Sequence, residues 1–169
     1  SDKISFKSKL GLKCFYCNAT SLKNKWSEFK VLLNSLEFPH IICVCETWFN
    51  DSSLRALDGY KCFSKDRVGK IGGGVIIYVR NDISSNEFDL ITLSDSQSEH
   101  VWCSINISNE ITLVGCMYRP PYSNRGELQS IIESIKQAAL LIKRKTISNL
   151  VITGDFNFPD ITWTNDGGI

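Results

Sequence analysis

Two runs of five apolar residues, Ile41-Ile42-Cys43-Val44-Cys45 and Val75-Ile76-Ile77-Tyr78-Val79, constrain the fold of this chain more than any other feature. A strand with one wet face alternates apolar and polar residues, and these runs do not alternate. Each reads as a short strand covered on both faces. ITLVGCMY (111–118) and NLVITGDFN (149–157) are further strands of similar character. Strands of this kind require layers above and below them.

Two helical periodicities supply such layers. Ser21 is the predicted cap of a helix running through Leu22, Trp26, Phe29, Leu32, Leu33 and Leu36, and Phe38-Pro39 ends it. A second helix is predicted from about Glu127 to Lys145, with Leu128, Ile131, Ile132, Ile135, Ala138, Ala139 and Ile142 on one side. Leu32, Leu33, Ile131 and Ile135 are expected to be buried. Other strands are predicted over 12–19, near 61–64, and over 99–107. The last of these forms a hairpin with 111–118 through Ser108-Asn109-Glu110. The polar stretch after Arg80 reads as a linker, and the end, PDITWTNDGGI, as irregular. The expected architecture is a layered α/β sandwich forming one unit over residues 1–169, with no internal repeat.

Composition agrees with a packed core: 43% of residues are hydrophobic and 22% charged, which argues against disorder. A net charge of +1 does not announce a polyanion partner. No stretch approaches the roughly 18 consecutive apolar residues of a membrane span. The opening SDKISFKSKL lacks the apolar run of a secretory signal, so an intracellular, membrane-free chain is expected. Of seven cysteines, five lie inside apolar runs, and buried free thiols are expected. Cys14 and Cys17 form a CxxC, but on a strand residues three apart face opposite ways and do not chelate one ion. Lysines at 3, 7, 9, 13, 23, 25 and 30 make the first thirty residues basic, while Asp155, Asp160 and Asp166 fall near the end. Basic stripes beside carboxylates suit an enzyme holding a phosphate backbone near a metal, although solvated surface lysines are, taken alone, the better explanation of the stripes.

Apolar strands that stop at a polar residue place that residue at a sheet edge, where ligand sites of layered α/β proteins gather. Asn18, Glu46, the pair Asp155 and Asn157, and Tyr118-Arg119 all stand at such points and are expected to cluster. Glu46 and Asp155 are hard oxygen donors suited to Mg²⁺ (or Mn²⁺), and Arg119 carries a fork that can neutralise a phosphate. In KIGGGV the glycines precede a strand, so a turn or close backbone approach is read there rather than a phosphate loop. His40 and His100 are lone histidines with structural readings.

The ordered set N-A-T-S-L (18–22), I-I-C-V-C-E-T-W (41–48), G-G-G-V-I-I-Y-V (72–79), Y-R-P-P (118–121) and G-D-F-N-F-P-D-I-T-W (154–163) resembles the endonuclease/exonuclease/phosphatase superfamily. Within it, the blocks are similar to the apurinic-type endonuclease domain of non-LTR (LINE-like) retrotransposons. The resemblance implies a four-layered, deoxyribonuclease I-like α/β sandwich and divalent-metal hydrolysis of a phosphodiester. It implies that Glu46 binds Mg²⁺ and that Asn18 belongs to the metal and phosphate network. Asp155 would orient or deprotonate the attacking water, Asn157 would hold phosphate or nucleophile, and Tyr118 would contact the scissile phosphate. Arg119 would touch the DNA backbone. The implied partners are DNA, with nuclear action, and a reverse transcriptase in the same polyprotein. Family members continue past the GDFN block to a second Asp and a Ser-Asp-His motif. The 169 residues are therefore expected to form a domain lacking its C-terminal part and to nick DNA poorly by themselves. An inactive remnant or nucleic-acid-binding fragment, and a phospholipid or inositol-phosphate phosphoesterase, are the alternatives.

Overall fold

The computed structural model describes residues 11–50, 55–90, 98–158, 163–164 and 167–168. In the first sheet, β1 (Cys14–Asn18) runs parallel to β2 (Ile41–Cys45). A parallel pair needs a crossover, and here it carries a 3₁₀ turn (Leu22–Lys25) and α1 (Trp26–Ser35). β3 (Tyr60–Lys65) and β4 (Val75–Arg80) add antiparallel strands, in the order β1-β2-β4-β3.

The second sheet follows the same plan in the opposite chain order. β5 (Ser84–Glu87), β6 (Glu99–Ile107) and β7 (Glu110–Tyr118) are antiparallel neighbours. β8 (Asn149–Asp155) returns parallel to β7 through α2 (Arg125–Lys143). β9 (Trp163–Thr164) and β10 (Gly167–Gly168) form a small antiparallel ribbon where irregular chain was predicted.

The side-chain period of two divides the apolar strands between two cores. Ile41, Cys43, Cys45, Val75, Ile77 and Val79 face the second sheet, where Val101, Cys103, Ile105, Val114 and Cys116 meet them. Ile42, Val44, Ile76 and Tyr78 face the other way, under Leu22, Phe29 and Leu33. On the far side, Trp102, Leu113 and Met117 pack under Ile131 and Ala138 of α2. The layers run α1, sheet, sheet, α2: a four-layered α/β sandwich.

Several local expectations are corrected. Ser21 has φ +79° and makes no capping hydrogen bond with its side chain. The N–H groups of Ser21, Leu22 and Lys23 donate instead to the carbonyls of Glu46 and Thr47, so a neighbouring loop satisfies this helix start. Leu32 is 41% exposed because Phe29 and Leu33 carry the contact with the sheet. Ile135 is only partly buried and Ala139 is exposed. α2 begins at Arg125, where Asn124 and Glu127 form a reciprocal capping box. Residues 84–87, read as linker, pair with β6; a polar edge strand carries no hydropathic signal. All seven cysteines are free, but Cys14 is exposed and Cys17 and Cys62 are partly buried, because β1 and β3 are sheet edges. Lys3, Lys7 and Lys9, and Asp160 and Asp166, lie outside the described residues.

Candidate active site

Asn18 ends β1, Glu46 follows β2, Tyr118 ends β7 and Asp155 ends β8. The parallel registers place Asn18 beside Cys45 and Tyr118 beside Asp155, so each sheet delivers two of these residues to one end. The two sets meet through Asn18. Its amide Nδ2 donates to Glu46 Oε1 at 2.8 Å and to Asp155 Oδ2 at 2.9 Å. The amide is held this way round by the Thr20 N–H, which donates to Asn18 Oδ1 at 3.0 Å. One NH₂ group thus joins two carboxylates from different sheets and offsets their mutual repulsion. Asn18 is exposed and both acids are partly buried, so the site faces solvent.

Tyr118 adds a phenol to this group. Burial, then the charge of Glu46 and a hydrogen bond to it, push its pKa up to about 12. The guanidinium of Arg67 lies 5.6 Å from the Tyr118 ring centroid and pulls the other way. Asn157 is placed by its backbone N–H, which donates to Asp155 Oδ1 at 3.1 Å. Its side-chain amide donates to the Arg119 carbonyl at 2.7 Å, not to a site carboxylate. Arg119 Nη1 donates to the carbonyls of Phe156 and Asn157 at 3.2 and 2.7 Å, and the guanidinium stacks over Phe158 at 4.4 Å. Arg119 therefore holds the 155–158 loop in place.

The backbone is strained around these groups. Glu46, Trp48 and Asn157 have φ of +56°, +55° and +48°, a conformation that costs a non-glycine residue on the order of 1–3 kcal/mol. Neighbouring chain holds the Glu46 loop in that shape. Thr47 N–H and Trp48 N–H donate to the carbonyls of Gly74 and Gly73 at 3.3 and 2.9 Å. Gly74 has φ +84°, and a side chain there would meet Thr47 Oγ1 at 2.5 Å. The glycine run is the close backbone approach read from the sequence, and what it approaches is the Glu46 loop.

Sequence reasoning missed Glu99 and Arg67. Glu99, at the start of β6, is 4% exposed, accepts Arg67 Nε at 2.7 Å and also accepts the Gly74 N–H. Burial drives its pKa up, against the lowering by the Gly74 N–H and Arg67. An acid opening an apolar strand was the available signal; nothing in the sequence linked it to an arginine 32 residues away. Trp48, two residues after Glu46, donates Nε1 to Glu46 Oε2 at 3.3 Å. His40 Nδ1 accepts the Lys13 N–H at 2.9 Å, a structural role. His100 lines a separate cavity with Lys65 and Asp89, where burial pushes its pKa down to about 4.

Among the described residues no three His, Cys, Asp or Glu side chains converge as a closed metal cage. Two carboxylates and an amide open to solvent fit a hard divalent cation, which takes one or two carboxylates and fills its sphere with water and phosphate. Glu46, whose Oε1 accepts the Asn18 amide and whose Oε2 accepts the Trp48 indole at 3.3 Å, is the carboxylate that would hold such an ion.

A four-layered sandwich with carboxylates converging at one end of its two sheets defines the deoxyribonuclease I-like class of fold. More particularly, the chain belongs to the endonuclease/exonuclease/phosphatase family, whose model matches residues 27–168. Among solved structures, the endonuclease domain of TRAS1, a telomere-specific non-LTR retrotransposon, is similar with a TM-score of 0.61 and 17% identity, over 87% of this chain and 59% of that one. The 3'-5' exonuclease NExo of Neisseria meningitidis gives a TM-score of 0.61 at 20% identity, over 86% and 58%. An AP endonuclease from Archaeoglobus fulgidus gives 0.57 at 19% identity, over 87% and 58%. This chain thus spans less than two thirds of the length of these structures. No curated protein matches the sequence.

Proposed function

We propose that this chain carries part of the active site of a Mg²⁺-dependent DNA endonuclease that nicks target DNA for a non-LTR retrotransposon. The observation that carries the reading is the Asn18 amide joining Glu46 and Asp155 at the meeting point of the two sheets. A bound Mg²⁺ would be held by Glu46, would neutralise charge on the phosphoryl oxygens and would lower the pKa of bound water. Asp155 orients or deprotonates the attacking water, with Asn18 keeping its carboxylate in position. Tyr118, protonated at neutral pH, donates to a phosphate oxygen. Asn157 holds the loop beside Asp155, and Arg119 supports this by fixing that loop and adding positive potential. Nuclear action, and a reverse transcriptase in the same polyprotein, belong to the same reading.

The test is relaxation of supercoiled plasmid by the 169-residue chain and by a form extended with the segment that family members carry beyond the GDFN block. The expected result is Mg²⁺-dependent nicking, carried at least by the extended form, and a loss of at least about 10²-fold in Asp155→Ala of that form. Turnover of a phosphoinositide in place of plasmid would replace the DNA reading with the phospholipid one. Nicking that survives both Glu46→Ala and Asp155→Ala would remove the site assignment.

A further inference from the structure

Glu99 takes no part in the chemistry above, yet it is a buried carboxylate that accepts on both oxygens. Oε1 accepts Arg67 Nε at 2.7 Å, with Arg67 Nη2 2.6 Å from the same oxygen, and Oε2 accepts the Gly74 N–H. The backbone beneath it is fixed. Glu99 pairs with Tyr118 of β7, and the preceding Ser98 accepts the hydroxyl of Ser130 on α2 at 3.0 Å. The attraction within a buried ion pair is largely offset by its desolvation, and an apolar pair of the same size often stabilises as well. A pair of this kind contributes chiefly through what it holds in place.

Here it holds the glycine turn. The turn lies so close that a side chain at Gly73 would collide with Glu99 Oε2 and the Arg67 guanidinium. The same turn presents its carbonyls to the Glu46 loop, where Gly74 accepts the Thr47 N–H at 3.3 Å and Gly73 the Trp48 N–H at 2.9 Å. The loop gripped in this way is the strained one, with φ of +56° at Glu46 and +55° at Trp48. A non-glycine residue left to itself returns to negative φ, and a return at Glu46 would re-aim its side chain. From the other side the Glu46 and Thr47 carbonyls accept N–H groups of residues 21–23. The loop is thus clamped between two backbones, and the clamp on the glycine side depends on a side-chain charge.

We propose that Glu99 is a positioning residue for the Glu46 carboxylate: through Gly74 and the strained 46–48 loop it fixes where a divalent cation is held. The inference rests on the metal reading of Glu46 and adds to it the group that keeps that carboxylate aimed. A glutamine does not replace it. Its amide has one acceptor oxygen, so it accepts from Arg67 or from Gly74 and turns an NH₂ toward the other donor. Partners standing behind a metal ligand typically carry roughly 10–100-fold in affinity. Glu99 acts through intervening backbone, so the low end of that range applies. A purely structural role has a different consequence: the folded state loses stability, while the chain that remains folded binds metal as before.

The experiment titrates the 169-residue chain with Mn²⁺, following the free-ion signal by electron paramagnetic resonance. It compares the unmodified chain, Glu99→Gln, Glu46→Gln and the variant combining both. Glu99→Gln is expected to weaken Mn²⁺ binding about tenfold. Because Glu99 acts through Glu46, the combined variant is expected to bind no more weakly than Glu46→Gln alone. Arg67→Met/Glu99→Leu replaces the ion pair whole and leaves no buried charge unpaired, so it keeps the test open if Glu99→Gln does not fold. It is expected to lose Mn²⁺ affinity to the same degree, with a circular dichroism spectrum matching the unmodified chain. Equal Mn²⁺ binding by the unmodified chain and a folded Glu99 variant of either kind, with Glu46→Gln weakened, would overturn the positioning role and leave the metal reading in place. Losses from Glu99→Gln and Glu46→Gln that multiply in the combined variant would do the same, since they would be separate effects. Absence of Mn²⁺ binding by the unmodified chain would overturn both.

Discussion

Asn18 does what neither carboxylate could do for itself: it donates to both and ties the ends of the two sheets together. Its own orientation depends on a backbone N–H two residues on, so the site begins with a local turn. Tyr118 shows the same dependence on surroundings. Its ordinary pKa of 10.0 is raised to about 12, chiefly by burial and next by Glu46. Between those values the folded chain holds a proton that the unfolded chain has lost, so stability conferred by the neutral phenol is complete below pH 10 and declines as pH rises toward 12. Urea unfolding of Tyr118→Phe from pH 9 to 11 should therefore show a shallower loss of stability than the unmodified chain. Equal slopes would mean that the phenol is not held in its neutral form.

At the scale of elements, the helices depend on their ends as much as on their faces. The 3₁₀ turn that leads into α1 is satisfied by the Glu46 and Thr47 carbonyls, whereas α2 carries its own capping box. Asn124→Ala should cost about 1 kcal/mol, read as a lower urea midpoint at unchanged slope. An unchanged midpoint would show that the box contributes nothing. The runs at 41–45 and 75–79 were legible as doubly covered strands because continuous apolar sequence has few other uses, and Glu46, the polar residue that ends the first, pointed to the site. The strand at Ser84–Glu87 was not legible, because its hydrogen bonds to β6 leave no mark on hydropathy. Ser21 misled because a serine before an apolar period looks the same whether its side chain or a distant carbonyl satisfies the turn. The pairing of Arg67 with Glu99 was hidden for a related reason: it is a contact between sheets, and single-sequence periodicity reports only local faces.

For the whole molecule, the two sheets share one plan, a parallel pair joined through a helix plus two antiparallel strands, and this plan makes the site. Each parallel pair brings two strand ends to one side, and the face-to-face packing brings β1 and β8 together there, so Asn18 reaches Asp155 across 137 residues of sequence. The inter-sheet core is what fixes that separation. Ile77→Ala, in a fully buried position between the sheets, should cost about 2–5 kcal/mol, a large share of the roughly 5–15 kcal/mol that holds a domain folded. A urea midpoint within error of the unmodified chain would contradict this packing. The central claim, that Glu46 with Asp155 and Asn18 forms a divalent-metal site, is tested most directly by titrating the chain with Mn²⁺ and following the free-ion signal by electron paramagnetic resonance. The account predicts one bound Mn²⁺ per chain, with affinity at least about tenfold weaker in Glu46→Gln. Equal Mn²⁺ binding by the unmodified chain and Glu46→Gln would contradict it.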